Sequence, residues 1–185
     1  MIDELLAGFL LYAAFPLWVA AGCGDYCCHR ITDIEGTTGR VESALHAVQY
    51  VQIVAGIAVA LFLETTSLVL VLLIALALLH LATGYFDIRY TTGRRYVSPF
   101  EQHVHSYMEI LPLIATAHWV IMHWDAFAPI LGGGVASWVV TPRQELAPTG
   151  VIAAIALGMA AAGAAIAEEY LRCTRSNGRQ RTMRR

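Results

Sequence analysis

The sequence predicts an all-α integral membrane protein, and three observations lead to this fold class. First, 57% of the 185 residues are hydrophobic and only 14% are charged, whereas about a quarter of the residues in a soluble domain are charged. Second, the chain contains five long segments that are nearly free of charge. Third, the arginines that flank these segments are distributed very unequally. Together these features exclude an ordinary soluble domain.

Each of the five segments is long enough to cross a bilayer core, which takes about 20 residues of helix. The segments cover residues 5–28, 41–63, 67–88, 99–124 and 149–171. The first is predicted to be a retained span and not a cleaved signal peptide, because Asp3 and Glu4 precede it and its apolar stretch is too long. We therefore expect a single transmembrane domain over residues 1–171, followed by a basic tail over residues 172–185.

The arginines predict the orientation of the chain, which has no lysine. Eleven arginines flank one side of the five predicted spans, and Arg143 alone lies on the other side. By the positive-inside rule, the arginine-rich side faces the cytoplasm. The N-terminus is therefore expected outside the inner (plasma) membrane and the C-terminus in the cytoplasm. The basic tail is interpreted as a topology anchor that contacts anionic lipid, not as a nucleic-acid site.

Carboxylates and histidines interrupt four of the predicted spans at intervals of four or seven residues, which places them on one face of each helix. They are Asp25 with His29, Glu42 with His46, His80 with Asp87, and Glu101 with His105 and Glu109. In the orientation given by the arginines, all nine side chains lie in the cytoplasmic half of the membrane, with His80 and Glu109 the deepest. We therefore expect the four helices to form a bundle around one shared site.

The chemistry of these nine side chains predicts a metal site. A carboxylate in the membrane interior is costly and is usually paired, and these helical faces carry no arginine or lysine. Oxygen and imidazole ligands suit iron, manganese or zinc, and the spread of the residues along the bundle axis favours two ions. The expected centre of the site consists of Asp25, His29, His46 and His105, since these residues come from three helices at overlapping depth.

Three of the carboxylates also have simpler interpretations that stay open at this stage. Glu101 stands at the third position of a helix-capping sequence. Glu42 could serve only the dipole of its own helix. Asp87 could pair with Arg89 or Arg94.

The tetrapeptide TTGR occurs at residues 37–40 and again at residues 91–94. In each case a Glu-x-x-x-His pair follows, although at different intervals. This repeat suggests two related helical hairpins that face each other in one bundle.

The remaining segments carry fewer chemical signals. The fifth segment is rich in small residues, including Gly158 and Gly163, and offers no candidate ligand. It is therefore assigned to packing or to a homodimer contact. The loop over residues 125–148 is expected to be an outer lid at the membrane interface, near an interfacial belt that includes His118 and His123.

The pattern of ligands resembles the di-iron carboxylate proteins of ferritin-like type, in which four helices project Glu and Glu-x-x-His groups inward. In location it is similar to the membrane-embedded desaturases and hydroxylases that hold two irons near the cytoplasmic side. The Glu–His interval here is four instead of three, and the His-x-x-His-His clusters of membrane desaturases are absent. The likeness covers residues 20–110 and concerns the constellation of ligands, not a family signature.

This resemblance implies two iron ions, with manganese or zinc as alternatives. It also implies an oxidoreductase that activates dioxygen to hydroxylate, desaturate or oxidise an apolar or lipid substrate. Electrons would come from a separate cytoplasmic protein, since the chain encodes no redox partner. Two other classes stay open, namely a dinuclear zinc hydrolase and a metal transporter or sensor.

Overall fold

A computed structural model describes the backbone of residues 2–183 and the side chains of residues 4–176. Its helices are α1 (Ile2–Phe9), α2 (Phe15–Ile31), α3 (Gly39–Phe62), α4 (Ser67–Thr91), α5 (Pro99–Met122), α6 (Trp124–Phe127) and α7 (Thr149–Met183). A π-helical turn, Leu10–Ala14, joins α1 to α2. The described residues contain only isolated β-bridges and no β-strand, which confirms the predicted all-α class.

Four helices among the described residues are long and apolar enough to cross a membrane. They are Glu4–Ile31, Gly39–Phe62, Ser67–Thr91 and Thr149–Ser176, and each coincides with a predicted span. The remaining predicted span, residues 99–124, corresponds to α5, which has 24 residues but is not apolar enough to be counted with these four helices. Its glutamates and histidines make it less apolar than the other four. The structure thus supports membrane association through four helices.

The long helices pack in a ring. Going around it, α2 contacts α5, α5 contacts α4, α4 contacts α3, α3 contacts α7, and α7 contacts α2. Because α7 lies between α2 and α3, these two helices do not pair directly as the TTGR repeat suggested. The two copies of the repeat do share a backbone feature, since Gly39 and Gly93 have φ values of +59° and +80°. Glycine adopts this left-handed conformation without steric cost.

The small residues of α7 allow it to approach its neighbours closely, as predicted. A Cβ atom added at Gly158 would lie 2.9 Å from Cζ of Phe15, and one added at Gly163 would lie 2.5 Å from the hydroxyl of Tyr50. That hydroxyl donates a hydrogen bond to the carbonyl of Met159 at 2.8 Å. The two glycines are therefore used for packing inside the chain, and a homodimer through another face of α7 stays a prediction.

The predicted basic tail begins as a continuation of α7, which runs past residue 171 to Met183. Arg172 pairs with Glu35 of the α2–α3 loop and with Glu168 one turn earlier. It therefore contributes to packing at the end of the ring. The side chains of residues 177–185, which include four of the six arginines assigned to the tail, lie outside the described residues.

The segment over residues 132–148 folds back over the turn between α3 and α4. The backbone N–H of Glu64 donates to the carbonyl of Thr141 at 2.9 Å, and that of Leu68 donates to the carbonyl of Ser137 at 3.1 Å. Val135 is 97% exposed and Trp138 is 57% exposed. Exposed aliphatic and indole groups suit a membrane interface, which fits the position predicted for this loop.

Candidate metal centre

Seven of the nine predicted side chains meet inside the helix ring, at the end where α2 and α4 finish and α3 and α5 begin. We call them the central cluster, and they are Asp25, His29, Glu42, His46, Asp87, Glu101 and His105. All seven are buried, with exposures between 0% and 8%. The cluster therefore confirms that one end of the bundle collects acidic and imidazole groups, as the helical spacing predicted.

The central cluster consists of three overlapping groups that each have the size of a coordination sphere. The groups are Asp25–His29–His46–His105, His29–Glu42–Glu101, and Glu42–His46–Asp87. Within each group the potential ligand atoms lie within 4.8 Å of one another. Two ligands on opposite sides of one ion lie roughly 4.2 Å apart, given bonds of about 2.1 Å. The first group contains the four residues that were expected at the centre of the site.

The ring nitrogen Nε2 of His29 lies among carboxylate oxygens from three helices. It is 3.4 Å from Oδ1 of Asp25, 3.6 Å from Oε1 of Glu42 and 3.4 Å from Oε1 of Glu101. None of these approaches has hydrogen-bond geometry, and Nε2 is buried without a partner. Asp25 Oδ1, Asp87 Oδ1 and Glu101 Oε2 are also buried without a hydrogen-bond partner, although Asp25 Oδ1 lies close to His105. Buried polar atoms are rarely left in this state, and cations bound within the three groups would satisfy them.

The other two histidines of the cluster contact aspartates from neighbouring helices. Nε2 of His46 is 3.1 Å from Oδ2 of Asp87, and Nε2 of His105 is 3.0 Å from Oδ1 of Asp25. The rings of His29 and His46 are stacked, with centroids 4.7 Å apart. The three imidazoles thus direct their Nε2 atoms into one small volume that is shared with the carboxylates.

Helix α7 contributes to this site, so the expectation that the fifth segment serves only packing is wrong. Glu169 is 3% exposed, and its two oxygens lie 2.8 Å from Nδ1 of His29 and 3.0 Å from Nδ1 of His46. One carboxylate therefore orients both rings. Carboxylates in this position commonly fix the tautomer and direction of metal-binding histidines. The sequence signal was the pair Glu168–Glu169 at the cytoplasmic end of an otherwise apolar helix.

An arginine lies at the edge of the cluster, although the sequence placed none on the ligand-bearing helical faces. The side chain of Arg95, from the loop between α4 and α5, is 2% exposed and pairs with both Glu42 and Glu101. Burial opposes its charge, yet hydrogen bonds to the two carboxylates raise the pKa of the guanidinium above its usual range. The cluster is therefore partly compensated by the chain itself.

The simpler interpretations of three carboxylates can now be compared with their contacts. The backbone N–H of Glu101 does donate to Ser98 Oγ at 3.1 Å, so the predicted cap exists, but the carboxylate of Glu101 turns into the cluster. Glu42 is fully buried and pairs with Arg95, so its role is not limited to the dipole of its own helix. The carboxylate of Asp87 contacts histidines, whereas Arg94 donates to the carbonyl of Tyr90.

The two deepest predicted ligands, His80 and Glu109, belong to none of the three groups. Nε2 of His80 lies 3.2 Å from the carbonyl oxygen of Met108. Oε1 of Glu109 lies against α4, 2.7 Å from the point where a Cβ atom would stand at Gly84. Both side chains are farther from the bundle end than the cluster, and metal ligation by them stays a prediction.

The charge of the site favours more than one cation. Its buried carboxylates are Asp25, Glu42, Asp87, Glu101 and Glu169. With neutral histidines, these five carboxylates and the single guanidinium of Arg95 leave four negative charges, which two divalent cations would cancel. Unpaired buried charge is strongly destabilising. The residues present therefore fit a pair of divalent ions.

The two histidines near the other end of α5 contact backbone carbonyls instead of carboxylates. Nδ1 of His118 donates to the carbonyl of Ile114 at 2.8 Å, and Nδ1 of His123 donates to the carbonyl of Trp119 at 2.9 Å. Each is therefore bonded within its own helix, apart from the cluster, as the prediction of an outer belt requires.

Comparison with known proteins finds no matching family model, no similar curated protein and no similar solved structure. The resemblance to di-iron proteins therefore rests on the buried cluster of His, Asp and Glu alone, and assigns no family.

Proposed function

We propose that this chain is a membrane-embedded dinuclear metal enzyme, with iron as the metal, that oxidises an apolar or lipid substrate. The observation that carries the proposal is the central cluster, with its seven buried side chains and three groups of ligand size. Two bound irons would supply dioxygen activation and the oxidation of a C–H bond by hydroxylation, desaturation or related chemistry. Manganese or zinc would fit the same ligand atoms.

Two of the three groups meet at His29. One, with Asp25, His46 and His105, is rich in nitrogen, and the other, with Glu42 and Glu101, is rich in oxygen. An imidazole-rich site and a carboxylate-rich site would therefore lie side by side. Because Nδ1 of His29 contacts Glu169, its Nε2 would bind the ion of one site only. Glu169 would keep the two histidine rings that it contacts in a fixed direction.

We infer that α5 also crosses the membrane, which gives five spans with the N-terminus outside. Glu101 and His105 lower the mean hydropathy of α5, but both face the interior of the ring and are 0% and 6% exposed. Polar groups inside a bundle do not meet lipid, so they do not prevent a helix from spanning. The metal centre would then lie in the cytoplasmic half, within reach of a cytoplasmic electron donor.

Metal analysis of purified protein tests this proposal most directly. Mass spectrometry should find two irons per chain, and a Mössbauer spectrum should show both as high-spin non-haem iron. Colourless protein with stoichiometric zinc and lipid-cleaving activity would instead identify the dinuclear hydrolase. Full-length, folded protein that binds no metal after reconstitution with iron, manganese or zinc would overturn the proposal altogether.

A further inference from the structure

A second set of buried polar side chains lies on the membrane side of the central cluster, between α3 and α4. Gln49 and Gln52 follow His46 along one face of α3, and each is 7% exposed. His80 and Thr83 lie on α4 with exposures of 2% and 8%. Nε2 of Gln52 donates to Thr83 Oγ1 at 2.9 Å, which joins the two helices at this depth. None of these residues belongs to the three metal-sized groups.

Several atoms of this region are buried but have no hydrogen-bond partner among the described residues. They are Gln49 Nε2, Gln52 Oε1, His80 Nδ1 and Glu109 Oε1. In a membrane interior such atoms are expensive unless something satisfies them. The set combines an amide donor with amide and carboxylate acceptors, and the two amides cannot ionise. It therefore suits a neutral group that both donates and accepts, more than it suits an ion.

An apolar cleft lies about one helical turn from this region, on the side away from the central cluster. The cleft lies between α4 and α5, has a volume of about 350 Å³ and is lined by residues that include Ala77 and Leu113. Ala77 precedes His80 by one turn of α4, and Leu113 follows Glu109 by one turn of α5. Gly84 leaves room for the carboxylate of Glu109 at the inner end. Along α4 and α5 the order is thus apolar cleft, this polar set and the central cluster.

We propose that the two amides of this set, Gln49 and Gln52, bind the hydroxyl group of an amphiphile whose alkyl chain lies in the α4–α5 cleft. Gln49 Nε2 donates to the hydroxyl oxygen, and Gln52 Oε1 accepts its single hydrogen. The inference deepens the proposed function, since it defines the class of substrate as a long-chain compound with one neutral oxygen group. It rests on that function for the reaction only, because binding requires no metal. Gln49 and Gln52 lie three and six residues beyond His46 on α3, so the bound oxygen would lie roughly 5–9 Å from His46 along the helix axis. Ordered water offers the same hydrogen-bonding chemistry and is the competing occupant.

The test uses full-length protein in detergent and two probes of equal chain length, 1-dodecanol and dodecane. Saturating dodecanol should raise the thermal midpoint of the wild type by roughly 3–5 °C, and dodecane should leave it unchanged. Gln49→Leu and Gln52→Leu should each lose the response to dodecanol. The matched control is Gln102→Leu, since Gln102 is an exposed residue of α5 outside the cleft and donates to the carbonyl of Val97 at 3.3 Å. It should respond as the wild type does.

Two other outcomes would overturn the inference. If dodecanol has no effect but both leucine variants unfold below the wild type, the polar groups bind internal water and not a substrate. If dodecanol has no effect and the leucine variants are as stable as the wild type or more stable, the site binds nothing. Metal content measured on the same samples separates this inference from the proposed function. If the chain binds no metal but still responds to dodecanol, and the leucine variants do not respond, the binding site is supported and the proposed enzyme function is not.

Discussion

At the scale of single residues, the site depends on side chains that contact more than one helix. Oδ1 of Asp25 lies 3.4 Å from His29 of its own helix and 3.0 Å from His105 of α5. His46 contacts Asp87 of α4 through one ring nitrogen and Glu169 of α7 through the other. Removing one such group therefore leaves buried partners on other helices without compensation.

Replacement of His46 or His105 by alanine should cost both metal and stability. Each variant removes a nitrogen ligand and strands a buried aspartate, a type of loss that costs about 3–5 kcal/mol. We expect at least one metal ion fewer per chain, measured by mass spectrometry, together with a lower thermal midpoint. His118→Ala, in the outer half of α5, should leave the metal content unchanged. Two metals per chain in both cluster variants would show that the shared-centre assignment is wrong.

Glu169→Gln tests the orienting role of α7 without changing the size of the side chain. An amide has one acceptor oxygen, so it can accept a hydrogen bond from only one of the two Nδ1 atoms that Glu169 contacts. We expect metal affinity to fall about 10- to 100-fold, measured by competition with a chelator. Glu168→Gln is the matched control, because Glu168 is the adjacent residue, is 43% exposed and faces Arg30 and Arg172. Equal affinities for the two variants would rule out a special role for Glu169.

At the scale of helices and loops, the connection between α4 and α5 reaches back into the bundle. Gly93, with its positive φ, turns the chain after α4, and Arg95 then inserts between Glu42 of α3 and Glu101 of α5. A single loop side chain thus ties together the first turns of two helices that do not neighbour each other in the ring. It also supplies a positive charge of the chain itself to both carboxylates.

Arg95→Gln should therefore destabilise the metal-free protein more than the metal-bound protein. Without the guanidinium, Glu42 and Glu101 remain buried and uncompensated, which costs about 3–5 kcal/mol, whereas a bound cation would restore most of the compensation. Thermal unfolding of both forms measures the difference. The control is Arg94→Gln, since Arg94 is exposed in the same loop and contacts Tyr90, through its backbone carbonyl and its ring, away from the cluster. A loss of stability that is the same in both forms would contradict this role.

At the scale of the whole molecule, the distribution of arginines and the position of the cluster lead to one orientation. A fluorescent protein fused after Arg185 should fluoresce, since such reporters fold in the cytoplasm, and alkaline phosphatase fused there should be inactive. Alkaline phosphatase inserted after Gly133, in the outer loop, should be active. The reverse pattern would place the cluster in the outer half of the membrane and exclude a cytoplasmic electron donor.

Sequence reasoning located the helices and all seven residues of the central cluster because both depend on spacing within a helix. A step of four residues places Asp25 and His29 on one face whatever the helix packs against. Glu169 and Arg95 were missed for the opposite reason, since their roles depend on which helices become neighbours. His80 and Glu109 share a face with cluster residues of their own helices. Helical spacing does not determine, however, at which depth in the bundle the neighbouring helices place their polar side chains.

The position of α7 between α2 and α3 also has a consequence for biosynthesis. A ribosome produces α7 after the other four long helices, so those helices are complete while the two stacked histidines still lack the carboxylate that they share. The position between α2 and α3 is filled only when α7 has been made. We therefore expect metal uptake to follow the synthesis of α7. A chain arrested at residue 148 should insert into the membrane and yet carry no metal when it is isolated, so that the protein would acquire its ions only after α7 has joined the ring.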